Sequence, residues 1–405
     1  MPEPQVLEPD LNFIREVGAL GGEDLKKCYQ CATCSVACTI TPENKPFPRK
    51  EMIAASWGLK DKLIKSADIW LCHNCGDCST RCPRTAKPAD VMAAARAYAV
   101  SHYAAPKALS RAVNDPKKWP ILMAVPAVVF LMLGLITGLL DFTPEGDMIA
   151  MDHFFSTWLV DLIFIPLSIW VVVIFALGIR NFLSDIHENA VREGKTEKKT
   201  IDPKEFVLAL VRSIPTILGH YRFNDCTDNR ERSTPHMMVF FSFIGLFIVT
   251  NCFFVALYIL QAPGPYSQLN PVKWLANISG VCLIIGGLLL IRARLAKTDQ
   301  ISAFKDWALL TLVLGLGATG MLTELFRLAG WAFPAYFIYF IHLMFVFALF
   351  AYLPFSKLAH LFYRTIAIAY AEYAGRGFKL GANAGAMPKR AAVPQPKKDE
   401  IPRAA

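Results

Sequence analysis

The chain has 405 residues, 54% of them hydrophobic and only 19% charged, with a formal net charge of +9. A soluble protein carries about a quarter charged residues, so a wholly soluble globule is excluded. The basic excess gathers at the ends of apolar runs and in the tail "PKRAAVPQPKKDEIPRAA", without a basic stripe interleaved with exposed aromatics, so it reads as membrane topology and no nucleic-acid partner is expected.

The chain opens on "MPEPQVLEPDLNF", which has neither the basic start nor the apolar core of a secretion signal. The cysteines that follow are therefore expected in a reducing compartment, where metal ligation is favoured over disulfides. Eight of the eleven cysteines fall in two stretches, "CYQCATCSVAC" at 28–38 and "CHNCGDCSTRC" at 72–82, and the spacing is the same in both. C-x2-C-x2-C-x3-C is the bacterial ferredoxin spacing for a [4Fe–4S] cluster, in which the fourth cysteine serves the other cluster of a two-cluster protein. Crossed ligation is thus expected: Cys28, Cys31, Cys34 and Cys82 on one cluster, Cys72, Cys75, Cys78 and Cys38 on the other. Structural zinc would use pairs of cysteines split by a longer insert.

Between the motifs, Met52, Ile53, Leu59, Leu63 and Ile64 recur at helical spacing, and "PADVMAAARAYAVSHY" after the second motif is also helical. Residues 1–115 are predicted to form an α-helical two-cluster ferredoxin-like head, and the chain as a whole to be all-α.

Six apolar runs follow, at about 119–140, 154–179, 236–260, 272–291, 306–328 and 333–356, each near the roughly 20 residues a membrane-spanning helix needs. The segment 181–234 and the connection after the fourth run are rich in Lys and Arg, whereas "DFTPEGDMIAMDH" and "QAPGPYSQLN" contain none. The positive-inside rule then places the 181–234 loop, both termini and the head in the cytoplasm, with the protein multi-pass in the cytoplasmic membrane. Within that loop, "FVLALVRSIPTILGHY" is too short to span and is expected as an interfacial or docked helix. "GLGATG" at 315–320 fits a dinucleotide-binding pattern but lies inside an apolar run, so close helix packing is its reading. The membrane domain is assigned to 116–365, and residues 366–405 to a disordered cytoplasmic tail. Cys252 and Cys282, inside apolar runs, read as small buried hydrophobes.

His342 and His360 are eighteen residues apart on the last run, which is five helical turns and about 27 Å. They would share one helix face and lie toward opposite sides of the membrane. His236 opens the third run at the level of His360. Intramembrane ionisable residues are functional candidates by default, and a b-type haem held by two histidines on facing helices accounts for them economically. His73, His102, His187 and His220 read as structural cytoplasmic residues.

"SGVCLIIGGLLLIRARL" and "HLMFVFALFAYLPFSKLAH" resemble the membrane cytochrome b subunit of respiratory nitrate reductase, over roughly residues 150–365. The head resembles the C subunit of heterodisulfide reductase. The fusion is similar to the C subunits of quinone-interacting membrane-bound oxidoreductase complexes of sulfate reducers. That resemblance implies two haems and four ligating histidines. His236, His342 and His360 match, while Leu246 stands where the fourth is expected and leaves His153 as the outer candidate. One haem is expected at His236 and His360, with His153 and His342 as the candidate pair for a second.

A haem in the membrane with clusters in the cytoplasm needs an electron source in the lipid, menaquinol or another quinol. The resemblance further implies flavin-containing heterodisulfide reductase-like A and B subunits as partners, and adenylylsulfate reductase as acceptor in sulfate respiration. Asp161, Glu324 and Arg327 are the polar residues toward the outer side that could serve quinone or protons, although Glu324 and Arg327 could also simply pair with each other. Competing readings are a quinone-linked membrane component of another heterodisulfide or sulfite reductase-type complex, and a non-catalytic membrane anchor or redox sensor. No cysteine-rich CCG module is present, so a heterodisulfide-cleaving centre in this chain is not expected.

Overall fold

A computed structural model describes residues 8–42, 45–142, 149–220, 232–262, 264–296 and 303–376. Among these residues there is no strand, only one isolated bridge between Leu140 and Phe155. The head consists of short helices: α1 (Leu11–Val17), α2 (Thr33–Ala37), α3 (Arg49–Ser56), α4 (Lys60–Ile64), α5 (Asp68–Leu71) and α6 (Asp77–Thr80), followed by the longer α7 (Pro88–Tyr103) and then α8 (Lys107–Val113). The alanine-rich α7 runs through the centre, because Ala94, Ala95 and Ala99 let Phe13, Met52, Ile64 and Trp70 close around it.

Among the described residues, six helices are long and apolar enough to cross a membrane: α9 (Trp119–Thr137), α11 (Thr157–Arg192), α13 (Ser233–Tyr258), α14 (Pro271–Leu295), α15 (Phe304–Leu328) and α16 (Ala332–Tyr352, apolar through Phe355). Their outward surface carries Ile121, Val128, Ile136, Ile169, Val172, Phe247 and Ile278, all more than half exposed, which is stable only against lipid. Cys252 belongs to this outward surface and is not a core residue. α10 (Met151–Phe154) is a four-residue turn before α11. Glycines set the closest approaches: a side-chain carbon added at Gly315 would meet the Phe345 ring at 2.3 Å, and one at Gly317 would meet Ile284 at 2.8 Å. The glycine-rich "GLGATG" is thus a seam packing α15 against α14 and α16.

α11 has 36 residues, about 54 Å of helix against ~30 Å of hydrocarbon, so its last turns stand clear as a pillar under the head. The head, this pillar and α17 (His360–Tyr373) share one apolar core: Trp70 stacks on Tyr363 with centroids 5.4 Å apart, and Phe182 lies edge-on to both. α12 (Pro203–Gly219) docks on α17 with Phe206 and Ala209 buried, while Val207, Leu208, Val211 and Ile214 face outward. This is the docked helix expected for that segment.

Two expectations are corrected. The last run is not one helix: α16 ends at Tyr352, two 3-10 turns cover Leu353–Phe355 and Lys357–Ala359, and His360 begins α17. Pro354 lacks an N–H and its ring would strike the carbonyl one turn back, so His342 and His360 do not share one straight face. The tail does not begin at 366, because α17 continues to Tyr373 and Arg376 pairs with Asp68 of the head at 2.8 Å. The rest of the tail, and Cys226, lie outside the described residues.

Candidate redox site

Each cysteine loop is built from the same backbone turns. In the first, Gln30 and Ala32 take positive φ (58° and 70°) before α2; in the second, Asn74 and Gly76 do so (55° and 93°) before α6. The left-handed residues curl the chain so that amide hydrogens turn toward sulfur: Gln30 N–H donates to Cys28 Sγ at 3.4 Å and Asn74 N–H to Cys72 Sγ at 3.3 Å. Ala86 N–H donates to Cys82 Sγ at 3.4 Å. Such N–H···S bonds are among the levers that set cluster potential.

The fourth cysteines cross over. Cys82 lines one pocket with Cys28, Cys31 and Cys34, while Cys38 lies beside Cys72 and Cys75, which together with it crowd Cys78. Burial, with Cys72 and Cys75 adding like charge, pushes the Cys38 thiol up to about 12; burial and Cys28 push Cys34 up to about 11. A metal centre must supply positive charge to draw thiolates from these sites.

A buried ionic hub ties the head to the membrane domain. Asp68, fully buried ahead of the second loop, accepts from Lys195 at 3.0 Å and Arg376 at 2.8 Å, and also from Lys50. Burial opposes its ionisation, but these three cations outweigh it and hold its carboxyl well below the usual range. Beside it, Arg364 of α17 donates to the Cys72 carbonyl at 3.1 Å. Arg96 of α7 bonds the Ile69 carbonyl at 2.7 Å, the Cys72 carbonyl at 3.5 Å and Asn74 Oδ1 at 3.3 Å.

The histidines at this end of the bundle gather directly below. His236 lies within electrostatic reach of His360, His220, Arg364 and Lys357. His360 Nδ1 is 2.6 Å from the Lys357 carbonyl, so that nitrogen carries the proton and Nε2 keeps its lone pair for a metal. His220, in left-handed conformation at the end of α12, lies edge-on to His236 with ring centroids 5.2 Å apart. His220 reads as merely structural in the sequence, yet it is the third imidazole of this cluster. His187 does have a structural place, between the Tyr370 hydroxyl at 2.9 Å and the Lys199 carbonyl at 3.1 Å.

The outer residues behave differently. His153 is exposed on α10, where its neighbour Phe154 stacks on Tyr336, six residues and about 9 Å of helix before His342. His342 is held by Thr319 Oγ1 at 2.9 Å and packs against Gly320. The structure does not bring His153 and His342 together, because the α10 turn sits above that level. Glu324 is saturated, with Arg327 at 2.8 Å, Lys273 at 2.5 Å and the Gln268 amide all on it. Arg327 and Glu324 thus pair with each other. Asp161 accepts from the Tyr258 hydroxyl, joining α11 to α13.

Comparison with known proteins bears on the head. Residues 24–86 match the 4Fe-4S dicluster domain family. The chain is 38% identical over 88 residues to the C subunit of the H(2):CoB-CoM heterodisulfide,ferredoxin reductase of Methanothermobacter marburgensis, covering 22% of this chain and 47% of that protein. It is 35% identical over 109 residues to the iron-sulfur C subunit of the CoB--CoM heterodisulfide reductase of Methanopyrus kandleri (24% and 57%). It is also 35% identical over 105 residues to a protein of Archaeoglobus profundus that is like the C subunit of heterodisulfide reductase (26% and 56%). The head is thus similar to heterodisulfide reductase C subunits and matches a domain for two [4Fe–4S] clusters. The chain spans about half the length of these relatives. No solved structure matches it.

Asp68, Arg96, Arg364 and His220 were not found by sequence reasoning. Asp68 looks like an ordinary first-turn acid of a short helix, and its partners Lys195 and Arg376 lie 127 and 308 residues away. Only Arg364 left a trace: it stands one helical turn after His360, on the same face.

Proposed function

We propose that the chain is a membrane electron-transfer subunit that takes electrons from a quinol, such as menaquinol, through a b-type haem on His236 and His360 and passes them to two crossed-ligated clusters. The observation that carries the reading is the stack at one end of the bundle: His236 and His360, then Arg364, then the Cys72 carbonyl. The basic ends Arg232, Arg292, Arg294 and Lys357 lie on the head side, and Lys305 bonds the Leu20 carbonyl of the head at 3.1 Å. By the positive-inside rule that side is the cytoplasm, with both termini and the head.

A bound haem would supply a one-electron iron couple between lipid and head. The chain's part is to hold it. His360 would offer Nε2 with the tautomer fixed by the Lys357 carbonyl, and His236, within electrostatic reach of it, would offer the second imidazole. Asp161, which accepts from the Tyr258 hydroxyl, differs from Glu324 in carrying no cation on its carboxylate among the described residues, and is the candidate to move quinol protons. Glu324 and Arg327, already neutralised, serve packing of the outer end. No second haem is assigned to His153 and His342. The cytoplasmic partners in this reading are flavin-containing heterodisulfide reductase-like subunits, with adenylylsulfate reductase as acceptor.

The test is the reduced-minus-oxidised spectrum of the purified chain with His236→Ala, His360→Ala and His220→Ala. The first two should each abolish a bis-histidine signal that His220→Ala retains. A full haem complement in His360→Ala would overturn the assignment.

A further inference from the structure

The two clusters do not stand in equivalent places. The loop of Cys28, Cys31 and Cys34 makes its contacts inside the head: Thr33 Oγ1 to Cys31 Sγ at 3.3 Å, Arg49 Nε to the Gln30 carbonyl at 3.0 Å, and Arg84 over the Tyr29 ring at 4.2 Å. Cys31 is exposed and Tyr29 and Val36 point outward. The loop of Cys72, Cys75 and Cys78 is pinned to the membrane domain twice over. Trp70 stacks on Tyr363, and Cys72 receives Arg364, the next residue along α17. Cys78 at its centre is buried. Arg364 in turn stands about 6 Å of helix from His360.

We propose that the cluster held by Cys38, Cys72, Cys75 and Cys78 is the membrane-side cluster, the first in the head to be reduced, and that Arg364 is the positioning residue that joins it to the haem end of the bundle. This rests on the electron-transfer reading above. Two guanidinium groups, Arg364 and Arg96, converge on the Cys72 carbonyl. Positive charge and hydrogen bonding at a cluster favour its reduced, more negative state, so the pair raises the potential of this cluster. The step is a single-electron transfer: the membrane-side donor loses one electron, the cluster gains it, and no bond or proton moves. The cluster on Cys28, Cys31, Cys34 and Cys82 is then the outward one, its exposed loop turned toward the next acceptor.

The full chain, purified in detergent, is titrated with dithionite and mediators while its cluster signals are followed by electron paramagnetic resonance. Cys75→Ser and Cys31→Ser assign the signals. Arg364→Gln should lower the midpoint potential of the signal that Cys75→Ser removes, leave the signal that Cys31→Ser removes in place, and slow haem-to-cluster transfer at least about tenfold with the haem spectrum unchanged. Arg364→Lys, which keeps the charge, should restore most of the potential. If Arg364→Gln fails to fold, Arg96→Gln replaces it, with the same signal expected to move. A shift in the Cys31-dependent signal, or in neither, overturns the proposal. The chemical titration needs no haem, so a chain lacking haem would defeat the electron-transfer reading while this assignment of Arg364 is still decided.

Discussion

In the first cysteine loop the turns fall at Gln30 and Ala32, and in the second at Asn74 and Gly76, with the amide-to-sulfur bond repeated at 3.4 and 3.3 Å. The backbone is one device used twice. The surroundings are not: one loop leaves Cys31 exposed, the other buries Cys78 and takes Arg364 from a helix nearly 300 residues on. Local sequence repeats make two like clusters, and tertiary contacts from the membrane domain then make them unequal. An electron path needs both features, since identical clusters in identical settings would have no direction.

The largest effect that would break this comparison is loss of a crossed ligand. Cys38→Ala should cost the chain about half its iron and acid-labile sulfide, since Cys38 lies beside Cys72 and Cys75 and away from its own loop. The surviving signal should be the one that Cys31→Ser removes. If Cys38→Ala and Cys31→Ser removed the same signal, each run of four cysteines would wrap its own metal.

Next in size is the tie between the second loop and the bundle. Asp68→Asn takes the shared anion from Arg376 and Lys195, both nearly buried, and leaves Lys195 with Glu193 at 2.5 Å; removing one partner of a buried ion pair costs about 3–5 kcal/mol. Thermal unfolding and limited proteolysis at the junction should both report it, with the second loop loosened more than the first. The pH dependence has a defined sign. The folded carboxyl is held below its unfolded value of about 3.9, so its stabilisation is present above pH ~4 and is lost as pH falls further. Asp68→Asn should flatten the loss of stability in that acid window, and an unchanged acid profile would count against the hub.

The sequence was most legible where the chemistry is local. Cysteine spacing carried the two clusters, because ligands three apart must wrap one turn, and apolar runs carried the spans because lipid demands them. The glycines of "GLGATG" read correctly as packing once their apolar flanks were weighed. What failed was continuity: Pro354 breaks the last run, so the eighteen-residue spacing of His342 and His360 did not report one helix face. His220 escaped for a related reason. It ends a helix that docks on α17, and only that docking brings it to His236. Long-range pairs such as Asp68 with Arg376 leave no periodicity to find.

The smallest effect sharpens the comparison inside the loops themselves. Ala32 holds a left-handed conformation at φ 70° where its counterpart Gly76 holds φ 93°. A side chain in that region costs about 1–2 kcal/mol, while glycine pays about 0.5–1 kcal/mol in unfolded-state freedom. Ala32→Gly should therefore stabilise the head slightly, by up to ~1 kcal/mol, and Gly76→Ala should destabilise it by about the same amount. Both should keep their clusters, since neither residue is a ligand and the amide donors at Gln30 and Asn74 are untouched. Iron release against urea, measured on the two variants side by side, reads the difference. Equal destabilisation by both substitutions would mean that the loops only look like copies, and that Ala32 is held at positive φ by its neighbours and not by the turn that the ligand spacing requires.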